Sequence, residues 1–176
     1  TLTLIISLTI MLCSSLFAQS GWFPVFSGDT TALQSNYFVD ANTGYSVGAQ
    51  INSNGIHPIV LKTTNAGSSW FEQITPQRDS SDFFFRSVFF TDINTGFVAV
   101  CNNSNINIGR ILKTTNGGNT WSICLLPFDR HMTTVYFINS STGFASGSQY
   151  IYKTTNAGAS WSAQMLISGY LYEIHF

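Results

Sequence analysis

Residues 113–121 read K-T-T-N-G-G-N-T-W, and close copies stand at 62–70 (K-T-T-N-A-G-S-S-W) and at 153–161 (K-T-T-N-A-G-A-S-W). In each copy the tryptophan comes eight positions after the lysine, without insertion or deletion. A string that recurs in this way marks a structural repeat, and a repeat restricts the possible fold classes. We therefore take the nine residues as a fixed part of one repeating unit.

A second fixed segment precedes each copy of this string. It begins at a phenylalanine, passes through Asp or Asn, and ends at a glycine that an aromatic residue follows. In each copy the glycine comes six positions after the phenylalanine, and the copies run from Phe38 to Gly44, from Phe90 to Gly96 and from Phe137 to Gly143. All insertions and deletions fall in the two stretches that join the fixed segments. A rigid frame with two variable connections per unit is typical of a repeat scaffold.

The unit contains short runs that favour β-strands. Four of them, S-V-F-F, G-F-V-A-V, R-I-L-K-T and T-W-S-I-C, are separated by Gly, Asn and Thr, and no stretch after the N-terminal run keeps a helical period. Four strands in a repeated unit of about 39 to 52 residues predict the blade of a β-propeller. We expect an all-β fold, a β-propeller fragment of about three four-stranded blades, with a β-solenoid or sandwich as the alternative.

The chain is expected to be part of a longer exported protein. Residues 1–18 are an apolar run that ends in small and polar residues, as a secretory signal peptide does, although a membrane anchor is the competing interpretation. The predicted blades cover about 31–79, 80–129 and 130–167, and a fourth begins within 168–176. Residues 19–30 supply a lone strand expected to close the last blade. We therefore expect a secreted, periplasmic or cell-surface protein without membrane insertion after signal cleavage.

The nine-residue string suits a hairpin between the third and fourth strands of a blade. Its asparagine can accept hydrogen bonds from backbone amides of the turn, its last glycine can supply a positive φ, and its tryptophan can cover the hairpin. Occurrence in every unit favours a structural role over a catalytic one. The residues assigned to this structural motif are Thr63, Asn65, Gly67, Trp70, Thr114, Asn116, Gly118, Trp121, Thr154, Asn156, Gly158 and Trp161.

The string resembles the Asp-box, or BNR, repeat, whose pattern is Ser/Thr-x-Asp-x-Gly-x-Thr-Trp. Here Asn65, Asn116 and Asn156 stand where the aspartate usually does. Taken with the upstream Phe-to-Gly segment, residues 21–176 resemble the propeller family named for the photosystem II assembly and stability factor, which has exported bacterial members. This resemblance implies a propeller that usually has seven blades and an activity of binding or assembly without catalysis.

Composition and charge exclude several other classes of partner. The net charge is −1 and the pI is near 6.2, so no basic field would attract nucleic acid. His57, His131 and His175 are not at the spacing of metal ligands, and neither a metal nor another cofactor is expected. Cys101 and Cys124 are interpreted as free or buried thiols. The partner expected is a protein, with a glycan as the second class of ligand.

All three lysines of the chain belong to the repeated string, as Lys62, Lys113 and Lys153. A long apolar stem with a charged tip can cover apolar surface while the tip stays in water. We interpret these lysines as stems packed at the rim of each blade with the ammonium in solvent. The alternative is a ring of positive charge that would bind an anionic partner.

A glycan-active enzyme, sialidase-like or another glycoside hydrolase, is the alternative function, because such enzymes share the Asp-box repeat. Their sites need clustered arginines or two facing carboxylates. Asp40 and Asp92 occupy equivalent positions of the repeat, where the third unit has Asn139. A carboxylate that an amide can replace is better interpreted as a turn former than as an acid. No catalytic residue is therefore assigned, and catalysis would need residues beyond 176.

The variable connections are where we expect binding. Four antiparallel strands place the two fixed segments of a blade on one rim and the variable connections on the opposite rim, and loops on a rigid scaffold usually carry specificity. The partner is expected to dock against Gln50–His57, Arg78–Arg86 and Cys101–Gly109. The candidate binding face consists of Phe83, Phe84, Phe85 and Arg86, since aromatic residues and arginine are enriched in hot spots. The alternative is that these phenylalanines fill space between blades. The predicted function is an exported, non-catalytic scaffold that binds a protein.

Overall fold

The computed structural model describes residues 31–53, 55–76, 83–102, 108–128 and 131–166. Within these ranges the chain forms twelve β-strands and no helix. The first sheet contains β1 (Thr31–Phe38), β2 (Gly44–Asn52), β3 (Gly55–Thr63) and β4 (Phe71–Gln73). The second contains β5 (Phe83–Phe90), β6 (Gly96–Asn102), β7 (Gly109–Thr114) and β8 (Ser122–Cys124). The third contains β9 (Thr134–Phe137), β10 (Gly143–Gly147), β11 (Tyr150–Thr154) and β12 (Ser162–Met165).

Each sheet is an antiparallel meander in which neighbours in sequence are neighbours in space. This topology confirms the all-β prediction and the prediction of about three four-stranded blades. We call the sheets blade 1, blade 2 and blade 3 in chain order. The predicted signal peptide (1–18), the lone strand (19–30) and the start of a fourth blade (168–176) lie outside the described residues and remain predictions.

The first strands of the three blades lie side by side. β5 contacts both β1 and β9, so the first strand of each blade lies beside that of the next, as the innermost strands of a propeller do. An aromatic row links the inner strands, because the rings of Tyr37 and Phe89 lie 4.9 Å apart and those of Phe89 and Tyr136 lie 5.0 Å apart. Hydroxyl groups bridge the inner strands as well. The amide of Val88 donates to Ser35 Oγ and that of Val135 to Ser87 Oγ, each at 3.3 Å.

The hydrophobic core lies between the blades. Strands expose alternate side chains to opposite faces, and β6 is buried along its whole length because a blade covers each of its faces. Between blades 1 and 2 the core consists of Tyr45, Val47, Val60, Phe85, Val88, Phe90, Val98, Val100, Leu112 and Trp121. Between blades 2 and 3 it consists of Phe97, Ala99, Ile111, Met132, Val135, Phe137, Ala145, Tyr152 and Trp161.

The fixed segments of each blade meet on one rim. The amide of Ala66 in the β3–β4 hairpin donates to the carbonyl of Asn42 in the β1–β2 turn at 2.8 Å. Gly117 and Ala157 donate equivalent bonds to Asn94 and Ser141, also at 2.8 Å. We call this side of the molecule the hairpin rim. The variable connections begin at the opposite ends of the strands, which we call the variable rim.

Candidate binding face

The hairpins on the hairpin rim are stabilised from within. In blade 2, Asn116 Oδ1 accepts the amide of Thr120 at 2.9 Å and the hydroxyl of Thr114 at 3.0 Å, while its Nδ2 donates to Thr120 Oγ1 at 2.9 Å. Thr114 Oγ1 accepts the amide of Gly118 at 2.9 Å. Equivalent bonds join Thr63, Asn65, Gly67 and Ser69 in blade 1, and Thr154, Asn156, Gly158 and Ser160 in blade 3. The hydroxyl and carboxamide groups of these hairpins thus bond to one another and to the turn, and leave little of this chemistry for a ligand.

The motif tryptophans pack against the phenylalanine that ends the first strand of the same blade. Trp121 meets Phe90 edge to face at 6.2 Å, and Trp161 meets Phe137 at 6.0 Å. Both indoles are buried. Trp70 makes the same contact with Phe38 at 6.1 Å but is only half-buried, because no described blade precedes blade 1. These residues are therefore part of the core.

The Phe-to-Gly segment forms a turn around its Asp or Asn. Asp40 Oδ1 accepts the amides of Asn42 and Thr43, both at 2.7 Å, and these bonds hold the pKa of Asp40 below its usual value. Asp92 and Asn139 accept the corresponding amides in their own blades. An amide can replace the carboxylate because only its acceptor oxygen is used. These acidic residues shape turns, which is a structural role.

The repeat lysines connect neighbouring blades. Lys62 Nζ donates to the carbonyl of Gly117 at 2.7 Å, and Lys113 Nζ donates to the carbonyl of Ala157 at 2.7 Å. The expectation that these ammonium groups lie in solvent was therefore wrong for Lys62 and Lys113. A backbone carbonyl of the next hairpin lies within reach of the long stem, and such proximity of distant segments cannot be inferred from sequence spacing.

The candidate face lies at the start of β5, where the chain enters blade 2 from the variable rim. Phe85 is fully buried in the core between blades 1 and 2, so its side chain is not available to a partner. Phe85 therefore fills space between blades, as the alternative interpretation of these phenylalanines predicted. Phe83 packs partly against the same core, and Phe84 and Arg86 are also half-buried. The accessible part of the face therefore consists of Phe83, Phe84 and Arg86.

A β-bulge at Arg86 gives this face its form. The pairing of β5 with β6 shifts between Phe85 and Ser87, so Arg86 is the extra residue. Its guanidinium lies 5.4 Å from the ring of Phe84, its Nε donates to Cys101 Sγ at 3.1 Å, and its Nη1 reaches Gln34 Oε1 at 3.4 Å. Gln34 is itself the shifted residue of the equivalent bulge in β1. Sequence reasoning missed Gln34, because its contact with Arg86 joins the first strands of two neighbouring blades, and spacing along the chain does not show which side chains meet there.

A second arginine lies beside the same aromatic run. The guanidinium of Arg110, in β7, lies 5.7 Å from the ring of Phe83. Neither Arg86 nor Arg110 forms an ion pair with a carboxylate in the part of the chain that the structure describes. Burial, and secondarily the charge of Arg86, lower the pKa of His131, which favours the neutral imidazole at pH 7. Among the described residues of this face, the charge therefore comes from the two arginines.

The predicted docking segments are described only in part. Gln50 to Ser53 and Gly55 to His57 form the two sides of the β2–β3 hairpin, while residue 54 lies outside the described residues. Residues 78–82 of the second segment and residues 103–107 of the third also lie outside the described residues. The contribution of those loops to binding remains a prediction.

Neither a metal site nor a membrane span is found within the described ranges. No group of three or more His, Cys, Asp or Glu side chains there could hold a metal ion. Cys101 and Cys124 are free thiols, and burial raises the pKa of Cys124 to about 11. Where the structure describes the chain, no helix has the length and apolar character to cross a membrane.

Comparison with known proteins identifies similar chains. The model of the family described as "Photosynthesis system II assembly factor YCF48" matches residues 18–171. A solved structure described as "YCF48 bound to D1 peptide" superposes with a TM-score of 0.59 at 22% identity, over 79% of this chain and 43% of that one. YCF48 from Cyanidioschyzon merolae gives a TM-score of 0.54 at 20% identity, over 79% and 38% of the two chains.

A propeller enzyme is also similar in fold. The GH74 enzyme of Niastella koreensis superposes with a TM-score of 0.54 at 21% identity, over 74% of this chain and 22% of that one. At these identities the solved structures establish the fold alone. The chain spans less than half the length of each of these three proteins. No curated protein matches it.

Proposed function

Because the chain belongs to the photosynthesis system II assembly factor YCF48 family, we propose that it is a protein-binding propeller whose partner docks on Phe83, Phe84 and Arg86. The family match extends over residues 18–171, and it confirms the resemblance seen in the repeated motifs. Propellers present short loops on a rigid ring of sheets, and a scaffold of this kind suits the assembly of other proteins. The role proposed is to hold a segment of a partner protein.

The observation that carries this proposal is the pair formed by Phe84 and Arg86. The guanidinium lies 5.4 Å from the aromatic ring and has no carboxylate partner among the described residues. Contact with the ring and the bonds to Cys101 and Gln34 orient the planar fork, and its remaining N–H groups can donate to a carbonyl or carboxylate oxygen of a partner. Aromatic and arginine side chains that are already ordered lose little entropy on binding, and they are enriched in interface hot spots.

A protein segment is the kind of partner that the comparisons favour. The similar YCF48 structure was solved with a D1 peptide. In this chain, Phe83 and Phe84 offer apolar contact, while Arg86 and Arg110 offer donors and positive charge. An extended peptide has exposed carbonyl groups and alternating side chains, and it can use both kinds of contact. We therefore infer a peptide segment, not a glycan, as the ligand.

A non-catalytic role in an exported protein completes the proposal. Asp40 and Asp92 accept hydrogen bonds from backbone amides in turns, so neither is positioned as a free acid or base.

The apolar run at residues 1–18 supports export. N-terminal sequencing of protein secreted by an expressing cell should give a mature chain that begins near residue 19. Retention of residues 1–18 would contradict cleavage of a signal peptide without affecting the binding proposal.

The binding proposal is tested by comparing variants of the full-length protein. Phe84→Ala and Arg86→Ala should each weaken binding of a partner recovered by affinity purification, and the D1 peptide is the first synthetic probe. Arg86→Lys keeps the charge but loses the planar fork, and Asn119→Ala changes an exposed residue on the opposite, hairpin rim. Binding should fall for the first three variants and be unchanged for the fourth. Reduced thermal stability with unchanged affinity for Phe84→Ala and Arg86→Ala would refute the proposed face.

A further inference from the structure

The hairpin of blade 2 differs from the other two hairpins at one position. Asn116 is followed by Gly117, whereas Asn65 and Asn156 are each followed by alanine. The backbone does not require this glycine. Ala66 and Ala157 hold the same left-handed conformation, with φ of 56° and 53°, against 65° at Gly117. The backbone conformation therefore does not explain why glycine follows Asn116, but the Asn-Gly sequence changes the reactivity of the asparagine.

An asparagine that precedes glycine is open to deamidation, because no β-carbon on the next residue obstructs attack by its backbone nitrogen. The nitrogen of Gly117 would attack Cγ of Asn116 and form the C–N bond of a cyclic succinimide. The Cγ–Nδ2 bond breaks, and the side-chain nitrogen leaves as ammonia with the proton of the attacking amide. Water then opens the imide at one of its two carbonyls and gives aspartate or isoaspartate. No electrons are transferred, and water is the only co-reactant.

The folded hairpin restrains both reacting groups. The amide of Gly117 donates to the carbonyl of Asn94 at 2.8 Å, so its nitrogen is engaged. The carboxamide of Asn116 is fixed by its bonds to Thr114 and Thr120. Rotation of that side chain towards Gly117 would break these bonds. In the closed hairpin the attack is therefore prevented, and the reaction has to pass through a locally open state.

Blade 1 contributes to keeping the hairpin closed. The carbonyl of Gly117 accepts two hydrogen bonds from blade 1, one from Lys62 Nζ at 2.7 Å and one from the hydroxyl of Tyr45 at 2.9 Å. A β-carbon built on Gly117 would lie 3.1 Å from the carbonyl oxygen of Ile93 and 3.4 Å from Lys62 Nζ, so the site is closely packed. Separation of blades 1 and 2 would remove both hydrogen bonds at once.

We propose that Asn116 is a deamidation site that the junction between blades 1 and 2 keeps closed, so that its conversion records the opening of that junction. The aspartate product suits the hairpin. A carboxylate oxygen can accept the amide of Thr120 and the hydroxyl of Thr114 as Oδ1 does, and the hydroxyl of Thr120 can reverse its role and donate. Isoaspartate would lengthen the backbone and disrupt these bonds.

The test follows deamidation by peptide mapping with mass spectrometry, in native buffer and in denaturant, using the full-length protein. Asn65 and Asn156 are internal references, because alanine follows each of them. Gly117→Ala gives blade 2 the same sequence at this point as the other hairpins and is the matched control. Tyr45→Phe removes one hydroxyl from the junction, and Lys62→Met removes the ammonium. Circular dichroism confirms that each variant is folded.

In denaturant, Asn116 should convert many times faster than Asn65 and Asn156, and Gly117→Ala should abolish the difference. In native buffer, Asn116 should convert slowly. Tyr45→Phe or Lys62→Met should raise its native rate about threefold to tenfold, the change in an opening equilibrium that loss of one hydrogen bond produces, while the rate in denaturant stays the same. Equal native and denatured rates for Asn116 would overturn the proposal. So would an unchanged native rate in both folded junction variants, or an intact Asn116 in the denatured chain.

Discussion

The ammonium of Lys62 lies 2.7 Å from the carbonyl oxygen of Gly117, fifty-five residues later in the chain. Lys113 makes the same bond to Ala157 in the following blade. The donor belongs to the hairpin string of one blade and the acceptor to that of the next, so the repeated string supplies both halves of the contact. This relationship gives the lysine of the repeated string a structural role, because it links blade 1 to blade 2 and blade 2 to blade 3.

Removal of one such bond should weaken the contact between two blades. Lys113→Met keeps the apolar stem and loses the charged donor, so the free energy of unfolding should fall by about 1 to 2 kcal/mol. Chemical denaturation measures the change. Lys153→Met in the same 176-residue chain is the matched control, because the ammonium of Lys153 has no hydrogen-bond acceptor among the described residues. Equal losses in the two variants would contradict the assigned contact.

The asparagine of each hairpin should contribute to stability through its side-chain bonds. Asn116→Ala removes the acceptor of the Thr120 amide and of the Thr114 hydroxyl, and we expect a loss of about 1 kcal/mol in the free energy of unfolding. The reference is Asn119→Ala in the same hairpin, whose exposed side chain makes no hydrogen bond to a described residue. An unchanged melting temperature for Asn116→Ala would count against the proposed role of this amide.

Alanine substitutions at two glycines of the repeat should distinguish local backbone strain from packing between blades. Gly67 and Gly158 have φ of 83° and 76°, so alanine should be strained at both. A β-carbon at Gly158 would lie 2.7 Å from the ring of Phe97 in blade 2, whereas at Gly67 the nearest atoms belong to Trp70 at 3.8 Å. Gly158→Ala should therefore cost about 1 to 3 kcal/mol more than Gly67→Ala, the usual range for overpacking. Thermal unfolding of both variants measures the difference, and equal effects would show that the clash relaxes.

Acid should weaken the β1–β2 turn of blade 1. The pKa of Asp40 is lowered in the folded state by the amides of Asn42 and Thr43, so the unfolded chain binds its proton more tightly. The stabilisation is complete above the unfolded pKa of about 4 and is lost as the pH falls through the lower folded pKa. Asp40→Asn keeps an acceptor, as Asn139 does in blade 3, but does not titrate. The stability difference between wild type and Asp40→Asn should shrink on acidification from pH 7 to pH 3, as measured by denaturation. A difference independent of pH would contradict this account.

Much of the fold could be predicted because the repeated segments form turns whose hydrogen bonds join residues close together in the chain. The Asn116 hairpin and the Asp40 turn form bonds within four residues of the chain, so the residue types and their spacing specify both. The position of the candidate binding face was also predicted from the strand order, because the variable connections leave the ends of the strands opposite the hairpins. Which residues of that face a partner can reach could not be predicted in this way.

The sequence by itself determined the four-stranded unit, its turns and the rim that carries its hairpins, because these depend on interactions between near neighbours. The tertiary structure alone decided the burial of Phe85, the pairing of Arg86 with Gln34 and the bond from Lys62 to Gly117. Each of these depends on how closely one blade packs on the next. That distance follows from the combined volume of side chains that are far apart in sequence, and no local pattern encodes it.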